Sequence, residues 1–123
     1  MIDLRLPVGP RAPGEARHAI DELGGVVETT RLDEIRLLVS ELVTNSVRHA
    51  GMTAEEWIGL RVNVERDSIR VEVADRGPGF EESTPIPTMY QDSGWGLYLV
   101  EQIADRWGVT NDAGTCVWFE VDR

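Results

Sequence analysis

The chain has 123 residues, of which 41% are hydrophobic and 28% charged, a composition typical of one globular domain and unlike that of a disordered chain. Its formal net charge of −10 disfavours direct binding to nucleic acid or to an anionic membrane surface. A single cysteine, Cys116, excludes an internal disulfide, and two histidines are too few for a zinc site. Because we find no apolar run long enough to cross a membrane and no secretory signal, we expect one cytoplasmic domain over residues 1–123.

Apolar periodicity predicts one strand and two helices in the first half of the chain. Residues 2–6 alternate apolar and polar side chains, which favours a short strand. Helical spacing then predicts a helix that Pro13 opens and Gly24 ends. A longer helix is predicted from Leu32 to Ala50, directly before Gly51. The apolar stripe of this second helix comprises Leu32, Ile35, Leu38, Val39, Leu42, Val43 and Val47.

The second half is predicted to begin with a hairpin. Two alternating segments, Trp57–Glu65 and Ile69–Val73, flank a short turn at residues 66–68, which favours antiparallel pairing. Residues 75–96 follow, rich in glycine and proline and without a clear period. Long irregular loops in a small domain are usually functional, so we expect this loop to contribute to a site.

The last part of the chain is predicted to form one helix and two strands. One helix face is formed by Leu97, Val100, Ile103, Ala104 and Trp107. A short strand near Val109 and a stronger one over Thr115–Val121 complete the chain. The prediction is an α+β fold, a two-layer sandwich in which helices cover one face of a mostly antiparallel sheet.

Two segments combine a carboxylate with residues suited to ligand binding. Glu41 and Asn45 are four residues apart and share a helix face, although such a pair alone is more often a solvated surface. The segment Asp75–Gly79 follows a strand directly, where Gly77 and Gly79 let a ligand approach the backbone. An aspartate at a strand end can also accept a hydrogen bond from an exocyclic amine. A tight turn explains this second segment equally well.

A third segment, Ser93–Gly96, opens the third predicted helix. Glycines at a helix start expose backbone N–H groups, which together with the helix dipole suit a phosphate. The segment is not a Walker A loop, because no Gly-Lys-Ser/Thr follows, and it completes no dinucleotide fingerprint. An ordinary glycine-rich helix entry is the alternative.

In chain order, these segments resemble the N, G1 and G2 boxes of the GHKL ATP-binding superfamily. The matching residues are Glu41-Leu-Val-Thr-Asn45-Ser, Asp75-Arg-Gly-Pro-Gly79 and Gly94-Trp-Gly96-Leu97, with Gly114-Thr115 resembling the last motif. The likeness spans Leu32–Val121. Each box alone is weakly specific, but four in order, each on the expected element, imply the fold and the ATP site of this superfamily.

The length of the chain narrows the choice of family within the superfamily. Topoisomerases and heat-shock chaperones need larger chains, and sensor histidine kinases need a separate dimerisation helix. The stretches Leu38–Ala50 and Ala104–Gly108 are similar to actinobacterial anti-sigma regulatory factors. This resemblance implies a serine/threonine protein kinase that phosphorylates a STAS-type antagonist and so controls a sigma factor by partner switching. It also implies that a homodimer can form.

The resemblance assigns roles to individual residues, with ATP and Mg²⁺ as cofactors. Asn45 matches the Mg²⁺ ligand, and Glu41 matches the general base. Asp75 matches the acceptor of the adenine amine, and Thr115 matches a residue that supports the same contact through water. The remaining nucleotide-binding positions implied are Gly77, Gly79, Gly94, Trp95, Gly96 and Leu97.

The predicted lid, Phe80–Ser93, departs from the family pattern. It contains three acidic residues and no lysine or arginine, although basic groups normally help to neutralise phosphates. Arg48 and Arg76 are the candidate substitutes. A second hypothesis therefore stands beside the kinase, namely a non-catalytic, ATP-responsive module that binds a protein partner.

Overall fold

The computed structural model describes residues 2–49, 57–75, 96–110 and 115–123, and these ranges contain three α-helices and five strands. The helices are α1 (Ala12–Ile20), α2 (Thr29–His49) and α3 (Gly96–Ile103), with one 3₁₀ turn at Asp21–Leu23. The strands are β1 (Ile2–Pro7), β2 (Trp57–Val64), β3 (Ser68–Asp75), β4 (Arg106–Thr110) and β5 (Thr115–Asp122). None of the helices in these ranges is long and apolar enough to span a membrane.

The strands form one sheet in the order β1-β2-β3-β5-β4, in which every neighbouring pair is antiparallel. The register places apolar residues opposite one another across the three central strands. Val71 of β3, for example, pairs with Val62 of β2 and with Phe119 of β5. Such cross-strand pairs stabilise a sheet and fix its register, because a slip by one residue would expose the whole apolar set.

Alternate residues of the strands and the inner faces of all three helices form one apolar core. The largest fully buried side chains are Phe119, Ile20, Ile35, Leu38, Leu42, Ile58, Leu60 and Ile69. Because the buried residues of each strand point to the helices, the helices lie on one side of the sheet. The predicted two-layer α+β sandwich is confirmed.

Local chemistry explains where the first two helices begin and end. A proline in the first turn suits the start of α1, and α1 tightens into the 3₁₀ turn before Gly24, whose N–H donates to Asp21 O at 3.0 Å. Helix α2 begins three residues before the predicted Leu32. The N–H of Leu32 donates to the carbonyl of Glu28 at 2.9 Å, so a helical turn has already formed before Leu32. That turn contains no apolar residue, and the apolar stripe therefore did not predict it.

The prediction for the third helix was wrong at its C-terminal end. Helix α3 ends at Ile103, and Trp107 lies in β4 opposite Phe119. Asp105 forms the bend between them, since its N–H donates to Glu120 O at 2.9 Å and its carboxylate accepts from the N–H of Asp122 at 2.7 Å. Pairing with β5, which no local period reveals, therefore overrides the helical spacing of Trp107. The indole Nε1 of Trp107 also donates to Glu101 of α3.

The sheet surface turned away from the helices is called the open face below. Its charged side chains are Asp3, Arg5, Arg61, Arg70, Glu72, Arg106, Glu120 and Asp122. Glu120 is the centre of an ion-pair network, accepting from Arg106 at 2.7 Å and from Arg70 at 3.0 Å. Arg70 donates further to Glu72 at 3.1 Å, and Arg106 to Asp122 at 2.6 Å.

Two tryptophans lie on the open face, each next to a guanidinium. Arg5 is 4.5 Å from the ring centre of Trp57, and Arg70 is 4.2 Å from that of Trp118. Both distances fit cation–π stacking. The indole of Trp118 crosses β4 at Gly108, where a Cβ atom would lie 2.8 Å from the indole Nε1. Glycine at position 108 is therefore what lets Trp118 lie against the sheet.

We predict that Gly108→Ala lowers the free energy of unfolding by about 1–3 kcal/mol, because the new methyl group displaces an indole that Arg70 holds in place. Urea unfolding measures the change. Gly9→Ala is the matched control, since nothing lies within 4 Å of its Cβ position. Equal stability of the two variants would show that Trp118 is free to move aside.

We also predict a pH dependence that involves Glu120. Hydrogen bonds from Arg106 and Arg70 hold the pKa of Glu120 below its ordinary value of 4.5. The stabilisation is therefore complete above pH 4.5 and is lost as the pH falls through the lowered folded-state pKa. In urea unfolding, the stability difference between the parent chain and Glu120→Gln should shrink toward acid pH. A difference that stays constant with pH would contradict this.

Candidate functional site

Asn45 occupies a core position on α2. The buried stripe of this helix runs through Ile35, Leu38 and Leu42, and helical spacing carries it on to Asn45, which is only 1% exposed. Neither the Oδ1 nor the Nδ2 of Asn45 has a hydrogen-bond partner among the described residues. An unpaired polar group costs about 1–3 kcal/mol when it is buried. The amide is thus held in the core at some cost to stability.

Asp75 is buried at the end of β3 for a similar reason. The inward residues of this strand alternate through Ile69, Val71 and Val73, and the same alternation turns Asp75 inward with 8% of its surface exposed. Asn45 and Asp75 are the two buried polar side chains in the described part of the chain. Since α2 packs against β3, both belong to the layer between the helices and the sheet.

The sheet register brings Asp75 directly opposite Thr115, the first residue of β5. These residues are the two to which the sequence assigns contacts at the adenine end of a nucleotide. They are 40 positions apart in the chain, so their pairing depends on the β3–β5 ladder. The register makes Asp75 and Thr115 neighbours, and their joint contact with the base stays a prediction.

Glu41 lies one helical turn before Asn45 and is half-buried. It makes no hydrogen bond or ion pair with another side chain of the described ranges. No group of three or more potential metal-ligating side chains occurs in those ranges either. A site with one protein oxygen, from Asn45, suits Mg²⁺, which commonly keeps waters and takes its other ligands from substrate phosphates.

Helix α3 begins at Gly96, and it packs against α2. The N–H groups of its first described turn lie toward the positive end of the helix dipole, and phosphate binding there stays a prediction. The other predicted positions Gly77, Gly79, Gly94 and Trp95 lie outside the described residues, as does Arg76. The side chains of Arg48, Leu97 and Thr115 are not described.

Sequence reasoning missed one contact beside the site. Arg17 of α1 donates to the Oγ of Ser40 at 2.6 Å, one residue before Glu41. The hydroxyl of Thr44 donates in turn to the carbonyl of Ser40 at 2.7 Å. These contacts join α1 to the turn of α2 that carries Glu41 and Asn45. No sequence signal links Arg17 to Ser40, because they are 23 positions apart on different helices.

Comparison with known families gives a match to the histidine kinase-like ATPase domain over residues 6–121. The chain belongs to this family. The resemblance inferred from the boxes around Asn45, Asp75 and Gly96 is confirmed at this level. The family match covers the described elements from Leu6 in β1 to Val121 in β5.

Two similar proteins are serine-protein kinases named RsbW. The RsbW of Bacillus subtilis (strain 168) is 29% identical over 130 residues, which cover 94% of this chain and 81% of that protein. The RsbW of Oceanobacillus iheyensis is 26% identical over 133 residues, which cover 94% of this chain and 82% of that protein. The similarity therefore extends over most of both molecules.

Two solved structures share the fold. The blue-light activated histidine kinase EL346 of Erythrobacter litoralis has a TM-score of 0.63 and 27% identity over 94% of this chain. This chain spans only 45% of that kinase. The catalytic domain of the histidine kinase ThkA has a TM-score of 0.61 and 16% identity, with 99% of this chain and 97% of that domain covered. The second similarity shows the fold alone.

We predict that Asn45→Ala stabilises the nucleotide-free protein by about 1 kcal/mol, since it removes an unpaired buried amide and improves helix propensity. Thr44→Ala is the matched control, because it gains the same propensity but loses a hydrogen bond to Ser40. Urea unfolding without nucleotide should place Asn45→Ala above Thr44→Ala in stability. The reverse order would mean that the Asn45 amide is paired in solution.

Proposed function

We propose that the protein binds ATP with Mg²⁺ and transfers the γ-phosphate to a serine or threonine of a partner protein. The observation that carries this proposal is the unpaired, buried amide of Asn45 in the same layer as the buried carboxylate of Asp75. An unsatisfied buried amide such as that of Asn45 is rare in folded proteins and calls for an explanation. Asn45 and Asp75 stand at positions where the family boxes expect a metal ligand and an adenine acceptor.

At the adenine end, the carboxylate of Asp75 would accept a hydrogen bond from the exocyclic amine. Burial strengthens such a bond, because water competes less for the carboxylate. Thr115, its partner in the β3–β5 register, would add a contact to the same edge of the base through water. Gly77 and Gly79 would allow close approach of the nucleotide to the backbone.

At the phosphate end, the Oδ1 of Asn45 would ligate Mg²⁺, which neutralises phosphate charge when it is bound. The backbone N–H groups at the start of α3 would bind phosphate oxygens, together with the segment from Gly94 to Leu97. The Nδ2 of Asn45 would be left to donate to a phosphate or to water. Positioning and charge neutralisation of this kind supply most of the catalysis in phosphoryl transfer.

Glu41 would act as the general base. Its carboxylate would accept the proton of the substrate hydroxyl while the hydroxyl oxygen forms a bond to the γ-phosphorus, and the bond from that phosphorus to the ADP oxygen would break. Glu41 suits this role because no other described side chain engages it. Its place one turn from Asn45 puts the base beside the metal ligand.

The similarity to the RsbW serine-protein kinases supports a protein substrate. We infer that the substrate is a STAS-type antagonist and that the other partner is a sigma factor, as the sequence resemblance implies. Phosphorylation of the antagonist would release it, and the unphosphorylated form would displace the sigma factor.

One observation favours a second function. The predicted lid, residues 80–93, contains three acidic residues and no basic one, which weakens phosphate binding by side chains. In a non-catalytic module, ATP would only order the surface that a partner recognises. The two functions share the nucleotide site and differ in whether Glu41 is needed.

We predict that calorimetric titration shows Mg²⁺-dependent ATP binding that weakens at least about tenfold in Asn45→Ala and in Asp75→Asn. Glu41→Gln should keep the ATP affinity and slow phosphorylation of a STAS-domain protein by about 10²–10⁴-fold. Thr29→Ala, at an exposed position at the start of α2 and outside the boxes, is a control that should bind ATP normally. Undiminished phosphorylation by Glu41→Gln would contradict Glu41 as the general base. ATP binding by the parent chain without any phosphorylation would support the binding module, and absence of ATP binding would exclude both.

A further inference from the structure

One arginine of the open face stands outside its ion-pair network. Each of the four carboxylates on this face forms an ion pair with Arg61, Arg70 or Arg106. Arg5 forms no ion pair or hydrogen bond with any residue of the described ranges. Its guanidinium carbon lies 4.5 Å from the ring centre of Trp57. Stacking uses the flat side of a guanidinium, so the N–H donors along the edge of Arg5 are available to a ligand.

A cleft of about 290 Å³ lies beside Arg5 on the open face. In the sheet register, Gly59 of β2 is opposite Arg5, and Ala74 of β3 is opposite Gly59. A Cβ atom at position 59 would lie 3.1 Å from Cζ3 of Trp57, so the indole leans over this glycine. The missing side chain of Gly59 therefore opens the cleft, and Trp57 forms one of its walls.

The charges that line the cleft suit a ligand with one negative charge. The lining includes two cations, Arg5 and Arg61, and two carboxylates, Asp3 and Glu72. The Nε of Arg61 is 3.7 Å from Asp3, and the Nε of Arg70 is 3.1 Å from Glu72. Within the described lining, only the charge of Arg5 is left without an opposite charge. A monoanion would balance it, whereas a dianion would also be repelled by Asp3 and Glu72.

The apolar lining and the size of the cleft indicate a small, flat ligand. The indole of Trp57 offers a ring for stacking, and Leu60 and Ala74 add aliphatic surface. The volume of the cleft lies at the lower end of the usual range for ligand pockets, about 300–1,000 Å³. Because the edge of a guanidinium matches a carboxylate in a bidentate pair, a carboxylate is the anion that best fits Arg5.

We propose that this cleft binds a small aromatic monocarboxylate. Its carboxylate would accept hydrogen bonds from Arg5, and its ring would lie against Trp57, over Gly59 and Ala74. The residue after Ala74 is Asp75, which turns to the other side of the sheet. The cleft is therefore separate from the candidate nucleotide site. The proposal does not depend on nucleotide binding, so it is tested without ATP.

The first test is a titration of the full chain with cinnamate, followed by two-dimensional proton–nitrogen NMR. The indole N–H signal of Trp57 is assigned by its loss in Trp57→Phe. Trp118 lies on the same face but outside the cleft lining, so its indole signal is the internal reference. We expect the Trp57 signal to shift more than that of Trp118 and to saturate, with a dissociation constant of about 1 mM or lower. A shift that does not saturate by about 10 mM would overturn the proposal.

Two further compounds test the chemistry of the ligand. Cinnamamide keeps the ring and shape of cinnamate without its charge, and phenyl phosphate presents a dianion on an aromatic ring. Each should bind at least about tenfold more weakly than cinnamate. Equal binding of the amide would show that Arg5 does not recognise the carboxylate. Equal or tighter binding of phenyl phosphate would show that a single charge is not preferred. Either result would overturn the proposal.

Two variants locate the site. Arg5→Gln removes the charge at an exposed position and should weaken cinnamate binding at least about tenfold. Arg11→Gln is the matched control, because it makes the same change at an exposed position directly before α1 and should leave binding unchanged. Gly59→Val fills the cleft while Arg5 stays in place, so it should abolish saturable binding. Binding that survives Arg5→Gln or Gly59→Val, with each variant folded by circular dichroism, would place the ligand elsewhere and overturn the proposal.

Discussion

The layer between the helices and the sheet is apolar in its described part except where Asn45 and Asp75 enter it. The same two periods that bury the core, 3.6 residues on α2 and two on β3, also bury these polar groups. The surrounding apolar packing must outweigh their desolvation for the fold to persist. The periods that build the core therefore also determine where the candidate site lies. Glu41 belongs to this candidate site because it precedes Asn45 by one helical turn.

Most of the fold could be predicted from local patterns. Alternation located β1, β2, β3 and β5, and the apolar stripe located α2 to within three residues at its start. Trp107 shows where local patterns fail. Its spacing in the sequence continues the apolar face of α3, but its backbone pairs with Phe119 of β5. Pairing with the next strand determines the structure at Trp107, and the helical spacing of the residues before it does not reveal that pairing.

The site was predicted from motifs, but its geometry was not. The boxes named Asn45 and Asp75, and only the structure shows that both are buried and that Asn45 lacks a partner among the described residues. The β3–β5 register placed Asp75 opposite Thr115. The contact of Arg17 with Ser40 had no sequence signal, since it depends on how α1 packs against α2. The roles of all the residues that the boxes assign to the site, Asn45 and Asp75 included, stay predictions.

The three tryptophans of the described strands are divided between the two sides of the sheet. Trp57 and Trp118 lie on the open face beside guanidinium groups, whereas Trp107 faces the helices and donates to Glu101 of α3. The molecule therefore has two sets of natural fluorophores in different environments. With Trp57 and Trp118 changed to phenylalanine, the remaining emission comes from Trp107 and from Trp95, which lies in the segment predicted to bind phosphate. Changes on the helix side of the sheet can then be followed by fluorescence without a contribution from the open face.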